Sequence, residues 1–237
     1  MNSFDLAIIH AVNGFARQSI LFDSFVHGFT NNYLLKSLPL LAMVYFLWFS
    51  VTPDAQLMLQ RRTRLLIALF AATAGPLLAK FFSNTLPFRH RPMHEDTLHF
   101  TMPWHMNEEV VTGWSSFPSD TTALLFPLAT GIFMLSRRLG ITALVLASAA
   151  ALARVYSGLH YPTDVLAGAV LGISAYFLLD QTRLKPLLTQ PCFWAMEKYP
   201  GWFYAAFFLY THQVTNIFAE SFTIIKIGVG FALGKPL

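Results

Sequence analysis

The sequence predicts an all-α integral membrane protein, a six-helix bundle preceded by an N-terminal interfacial helix. Three observations carry that prediction. Hydrophobic residues make up 55% of the 237-residue chain and charged residues only 12%, with a mean hydropathy of +0.50, whereas soluble domains carry about 25% charged residues. Apolar runs recur at close to the roughly 17–25 residues that a helix needs to cross a bilayer. The connections between them alternate between basic and mixed charge, as loops on opposite faces of a membrane do.

The elements follow in chain order. Residues 2–29 place Phe4, Ile8, Val12 and Phe15 at helical spacing among Asn2, Asp5, Asn13 and Arg17, a pattern too polar to span. This segment is either an interfacial helix or a short helix packed on the bundle, and residues 1–33 form one unit. Residues 34–237 form the bundle, with expected spans at 34–53, 63–83, 121–136, 140–157, 163–180 and 201–224. The third is short, and Thr211, His212 and Gln213 interrupt the last. Met1 to Phe15 lacks the basic start and small-residue cleavage site of a signal peptide, so the first spanning helix is expected to do the targeting.

Orientation comes from the connections. Arg61, Arg62 and Arg64, then Arg137 and Arg138, then Arg183, Lys185 and Lys198 lie between successive spans on one side, which reads as cytoplasmic. The opposite side carries residues 84–120 and 154–164, where Glu95, Asp96, Glu108 and Glu109 dilute the positive charge. Its polar residues are expected to face the periplasm or the exterior of a bacterial inner membrane. The net charge of +4 does not imply a nucleic-acid partner, because the basic residues form no patch with aromatic interleaving. Cys192 is the single cysteine, so there is no internal disulfide and no thiolate metal site.

The stretch that calls for a reason is Arg154 to Asp164, Arg-Val-Tyr-Ser-Gly-Leu-His-Tyr-Pro-Thr-Asp, held between two apolar runs. Pro162 suits a first helical turn, which puts Asp164 in that turn and His160 just ahead of it. The carboxylate is then placed to accept from one imidazole nitrogen and leave the other outward, and Arg154 supplies a planar fork suited to phosphate. In the long connection, Arg89 and Arg91 lie two apart before Pro92, so an extended chain points both guanidiniums one way. They address one anion or anchor the chain to lipid headgroups. At its end Ser119 is a natural N-cap for the third span, and helix-start N–H groups bind phosphate oxygens well.

Together these three segments resemble the phosphatidic acid phosphatase type 2 superfamily over about residues 60–180. The family pattern is Lys-x6-Arg-Pro, then Pro-Ser-Gly-His, then Ser-Arg-x5-His-x3-Asp. Here Arg91-Pro92, Pro118-Ser119 and Arg154, His160 and Asp164 match it in order and spacing, within a motif core at 80–164, with Ala153 in place of the first serine of the third motif. The resemblance implies metal-free and cofactor-free phosphoryl transfer from a lipid-linked phosphate. His160 attacks phosphorus to give a phosphohistidine, Asp164 fixes its tautomer, and Arg91, Arg154 and the N–H groups after Ser119 hold the equatorial oxygens. Arg89 is an extra clamp.

The departures are as informative. The family lysine falls at Asn84, and the nearest lysine, Lys80, reaches the site or anchors its helix end. Asp120 and Thr121 replace the glycine and histidine of the second motif. That histidine is the family's general acid, and threonine cannot protonate a leaving oxygen. An alkoxide, as strongly basic as hydroxide, departs slowly unprotonated, whereas a phosphate with a pKa of about 6 departs as the anion. The residues therefore favour a lipid diphosphate, such as a polyprenyl diphosphate, over a phosphatidate, unless His90, His94 or His105 lends a proton. The alternatives are a weakened member that binds lipid phosphate without efficient turnover, and a small-anion transporter. Gly168 and Gly172, four apart, mark close helix packing within the bundle or between copies.

Overall fold

The computed structural model describes residues 2–107, 111–181 and 183–216. Glu108, Glu109 and the 217–224 end of the sixth expected span lie outside the described residues. The elements are α1 (Ser3–Asn13), α2 (Ile20–Asn31), α3 (Tyr33–Lys36), α4 (Leu38–Phe49), α5 (Ala55–Thr85), α6 (Asp120–Phe133), α7 (Arg137–Tyr156), α8 (Pro162–Leu179), α9 (Leu184–Lys198) and α10 (Pro200–Thr215). The protein is an all-α integral membrane protein. Helices α5, α7 and α8 are long and apolar enough to cross a bilayer, and α4 and α6 are shorter apolar helices.

Side-chain size explains the packing. Helix α6 is central: Ala123, Leu124, Leu125, Leu128, Ala129 and Ile132 are all buried, with α5, α7 and α8 packed around it. Helix α7 offers α6 a face of small residues, Ala143, Ala147 and Ala150, while Ile141, Val145 and Leu152 stay more than half exposed on the other side. A helix with apolar residues all round is one whose outer face meets lipid. Gly168 and Gly172 face α6 within the bundle: a Cβ on Gly168 would lie 2.2 Å from the Ser119 carbonyl oxygen, and one on Gly172 would lie 2.5 Å from that of Ala123. Between the two packing readings left open by their spacing, the intramolecular one is observed for this pair.

Four elements differ from the sequence expectation. The N-terminal segment is two helices, not one, each started by its own cap: Asn2 accepts from the Asp5 N–H and Ser19 from the Phe22 N–H. The run at 34–53 breaks at Ser37 into α3 and α4, where the Ser37 hydroxyl donates to the Thr215 carbonyl at 2.7 Å. Helix α5 starts early, capped by Asp54, so Arg61, Arg62 and Arg64 lie within its first turns rather than in a loop. Residues 184–198, expected as a connection, form α9; an apolar run of Leu187, Leu188, Cys192, Phe193 and Trp194 lies between its charged ends.

The up-and-down course brings the end of α5, the start of α6, the end of α7 and the start of α8 to one rim. Helices α1 and α2 dock there through the buried apolar Ile9 and Val26 and through two buried carboxylates. Asp5 accepts from the Thr163 N–H at 2.9 Å and its hydroxyl at 2.7 Å. Asp23 accepts from the Tyr156 hydroxyl, from the Trp104 N–H at 2.9 Å and from the Arg17 N–H at 3.0 Å. Asn13 exchanges two hydrogen bonds with the Thr101 backbone. The N-terminal helices thereby strap residues 101–104 across the rim.

Candidate active site

His160 sits in the tight turn between α7 and α8, and two local features fix it there. Gly158 adopts a φ of +69°, a left-handed conformation that costs glycine little, and Pro162 opens α8 at its first position. The ring is 2% exposed. Its Nδ1 lies 2.8 Å from the Ser116 carbonyl oxygen. A carbonyl only accepts, so Nδ1 carries the proton and Nε2 keeps the lone pair. Nε2 in turn lies 3.4 Å from Nη2 of Arg154. The turn thus presents a nucleophilic nitrogen beside a guanidinium.

Asp164 does not hold the ring as the spacing predicted. Its Oδ2 is 3.9 Å from His160 Nδ1, beyond hydrogen-bond reach. The carboxylate instead caps α8 by accepting from the Tyr161 N–H at 2.8 Å and from the Ser116 hydroxyl at 2.5 Å. The first-turn geometry that Pro162 imposes turns the side chain back onto its own N-cap. Asp164 therefore acts through Ser116, which meets the carboxylate with its hydroxyl and the imidazole with its carbonyl. Ser116 is fully buried, and sequence reasoning gave it no role; two adjacent serines in a loop carry no periodic signal.

Arg89 is also elsewhere than expected. Its Nη2 pairs with Asp5 at 2.6 Å, and its Nη1 donates to Asp164 and to the Thr163 hydroxyl. Its guanidinium also lies over the Tyr161 ring, so it braces the turn between α7 and α8. Arg91, two residues on, is buried and donates to the Leu159 carbonyl at 2.6 Å and to the Trp114 carbonyl at 3.3 Å. Burial first, then the neighbouring Arg154, lowers its pKa to about 10, so it remains a cation at neutral pH.

The second motif holds its own anion. The Thr121 N–H donates to Asp120 Oδ1 at 2.6 Å, and that oxygen lies 3.9 Å from Arg154 Nη2. The carboxylate of Asp120 thus sits at the start of α6, where a phosphate oxygen was expected. Ser119 begins α6 without a side-chain cap bond. Its hydroxyl and the Nε of Arg154 are buried with no hydrogen-bond partner among the described residues, so both can serve an oxyanion. The exposed Asn84 lies at the end of α5. Lys80 places its ammonium 3.4 Å from the centre of the Trp114 ring, which favours the anchoring role over the reach to phosphate. A second lysine, Lys36, is 5% exposed, donates to the Thr30 carbonyl at 3.1 Å and lies within electrostatic reach of Arg154 and Asp120. Only the break at Ser37 buries it, and nothing in the apolar run announced that break.

Burial is the largest influence on His160, followed by Arg154 and Arg91, and together they push the imidazole well below its ordinary 6.5 against the opposing pull of Asp120 and the Ser116 carbonyl. Lowering the pKa of a base disfavours its cation, so the nucleophile stays available as pH falls. In a 15N NMR titration of the purified protein, the His160 ring is expected to remain neutral through pH 6.5, where an ordinary imidazole is half protonated. A midpoint at or above 6.5 would contradict the burial and charge described here.

With that geometry in place, comparison with known proteins is informative. The pattern described as the PAP2 superfamily matches residues 61–185. The chain is 30% identical over 168 residues to a Bacillus licheniformis protein named bacitracin transport permease protein BcrC, covering 70% of this chain and 75% of that one. It is 25% identical over 171 residues to the undecaprenyl-diphosphatase BcrC of Bacillus subtilis, covering 72% and 80%. A solved transmembrane PAP2-type phosphatidylglycerolphosphate phosphatase from Bacillus subtilis aligns with a TM-score of 0.49 at 24% identity, over 74% of this chain and 82% of that one.

Proposed function

From the membership of this chain in the PAP2 superfamily, we propose that it is a membrane hydrolase that removes the terminal phosphate of a lipid-linked diphosphate of the polyprenyl class, at the outer membrane face. The observation that carries the reading is the imidazole of His160, oriented by a backbone carbonyl with its free Nε2 against Arg154. The Nε2 lone pair attacks the terminal phosphorus, the bridging P–O bond breaks, and the lipid monophosphate leaves with the electron pair. Arg154 and Arg91 face the charge on the equatorial oxygens. Water then attacks the phosphohistidine, the P–N bond breaks, its electron pair returns to Nε2, and orthophosphate is released. Thr121 stands where a proton donor would stand, and a phosphate leaving group needs none.

The first relative's name speaks of transport, yet the cluster argues for rim chemistry. Arg154 lies in the last turn of α7, and Asp120 and Asp164 lie in the first turns of α6 and α8. Translocation sites hold their ionisable groups near the midplane.

The test is phosphate release by the purified protein from a polyprenyl diphosphate and from a phosphatidate. A general acid contributes roughly 10²–10⁴-fold, so the diphosphate is expected to turn over at least about tenfold faster. Thr121→His is expected to raise phosphatidate turnover selectively. Comparable turnover of both lipids by the unmodified protein would rule the proposal out.

A further inference from the structure

A polar cavity lies beside Arg154 and Leu159. It measures about 70 Å³, and its walls include His27 and Asn31 of α2, His105 and Met106 of the long connection, and Arg154 and Leu159. Water occupies about 30 Å³ per molecule in the liquid, so the space suits a small group and not a lipid chain. No carboxylate is among the described residues that line it. His27 Nδ1 lies 3.2 Å from the Asn31 amide nitrogen and 3.4 Å from Met106 Sδ. The His27 and His105 ring centres are 6.1 Å apart. The described walls thus combine one cation, Arg154, with polar side chains.

Arg154 belongs to both places. It lines this cavity, and its Nη2 is 3.4 Å from the nitrogen assigned as nucleophile. In a diphosphate the two phosphorus atoms share one oxygen, so the second phosphate must lie directly beside the one under attack. A monophosphate substrate would put only a carbon chain there.

We propose that this cavity, bounded by His27, Asn31, His105 and Arg154, is the subsite for the second phosphate, and that it sets the preference of the enzyme for diphosphates over monophosphates. The proposal rests on the hydrolase reading above and deepens it. The subsite uses hydrogen-bond donors and Arg154 to stabilise the departing phosphate as its negative charge grows, and no proton is transferred from His27. It also gives the N-terminal helices a part in recognition, because α2 supplies two of its walls.

The experiment compares kcat/KM for a polyprenyl diphosphate and for the monophosphate of the same chain, using the full-length protein, His27→Ala and Asn31→Asp. A hydrogen bond to a charged group is worth about tenfold or more, and Asn31→Asp adds a repelling charge at nearly constant shape. The ratio of diphosphate to monophosphate turnover is expected to fall at least about tenfold in each variant. A ratio within about twofold of the unmodified protein in both would overturn the subsite, whether turnover of the two lipids falls equally or not at all. A measurement that needs no variant supports the same decision: methylene diphosphonate is expected to inhibit the unmodified protein at least about tenfold more tightly than orthophosphate, and equal inhibition would count against the subsite. Release of phosphate from neither lipid by the unmodified protein would remove the hydrolase reading itself, an outcome distinct from an unchanged ratio.

Discussion

Replacing His160 by alanine is expected to lower phosphate release by about four orders of magnitude or more, the scale seen when a covalent catalyst loses its nucleophile. Brief incubation of the unmodified protein with diphosphate labelled at the terminal phosphorus is expected to leave acid-labile label on the protein, and His160→Ala to leave none. The partner result separates this site from a carboxylate-oriented triad. Where an aspartate fixes the tautomer, its change to asparagine costs about 10⁴-fold because the ring carries its proton on the wrong nitrogen. Here the Ser116 carbonyl accepts from Nδ1 at 2.8 Å, while the carboxylate of Asp164 is 3.9 Å away. Asp164→Asn therefore leaves the tautomer intact and disturbs only the seat of Ser116. Its expected loss is at most about 10²-fold, in the range for a weakened positioning contact. A 10⁴-fold loss in Asp164→Asn with the fold unchanged would restore the direct contact that the spacing suggested.

The difference between those two geometries shows what the sequence could and could not carry. The alternation of apolar runs made the membrane class and the rim location legible, because lipid constrains helix length directly. The spacing from His160 to Asp164 made their proximity legible too. It did not disclose that a proline-opened helix would turn the carboxylate toward its own cap, with a serine 48 residues away completing the link. Asp5 was one acid in a mixed-polarity segment, and its partner lies 84 residues later; a single sequence contains no signal for such a pair. Lys36 and α9 escaped for different reasons: Lys36 lies inside the apolar run expected as a span at 34–53, where nothing announced the break at Ser37, whereas the charges at the ends of α9, Lys185 and Lys198, read as a loop. Arg89 and Arg91 were paired by a local rule of alternation, but the chain around Pro92 gives them different partners.

Arg89 consequently yields the largest expected change in stability. It is 26% exposed at the side chain, but both of its anionic partners, Asp5 and Asp164, are completely buried. Arg89→Ala leaves two carboxylates close together in a dry rim with no cation between them, and breaking a buried pair in this way costs about 3–5 kcal/mol. Exposure of the arginine places the expectation at the low end, about 3 kcal/mol, which for a chain of this size lowers the unfolding midpoint by roughly 6–12 °C. Arg89→Lys is expected to recover only part of the loss, because a point charge cannot reach two carboxylates as a planar fork does. The double change Arg89→Ala with Asp5→Asn should be more stable than Arg89→Ala alone, since removing one stranded charge relieves the other. Thermal unfolding of these proteins in detergent, with Asp5→Asn alone to complete the double-mutant cycle, measures the coupling. If Arg89 instead grips substrate phosphate, the unfolding midpoint of Arg89→Ala stays within about 1 °C of the original while KM rises. The two roles cannot both explain one result: a brace acts with no lipid present, and a clamp acts only when phosphate is bound.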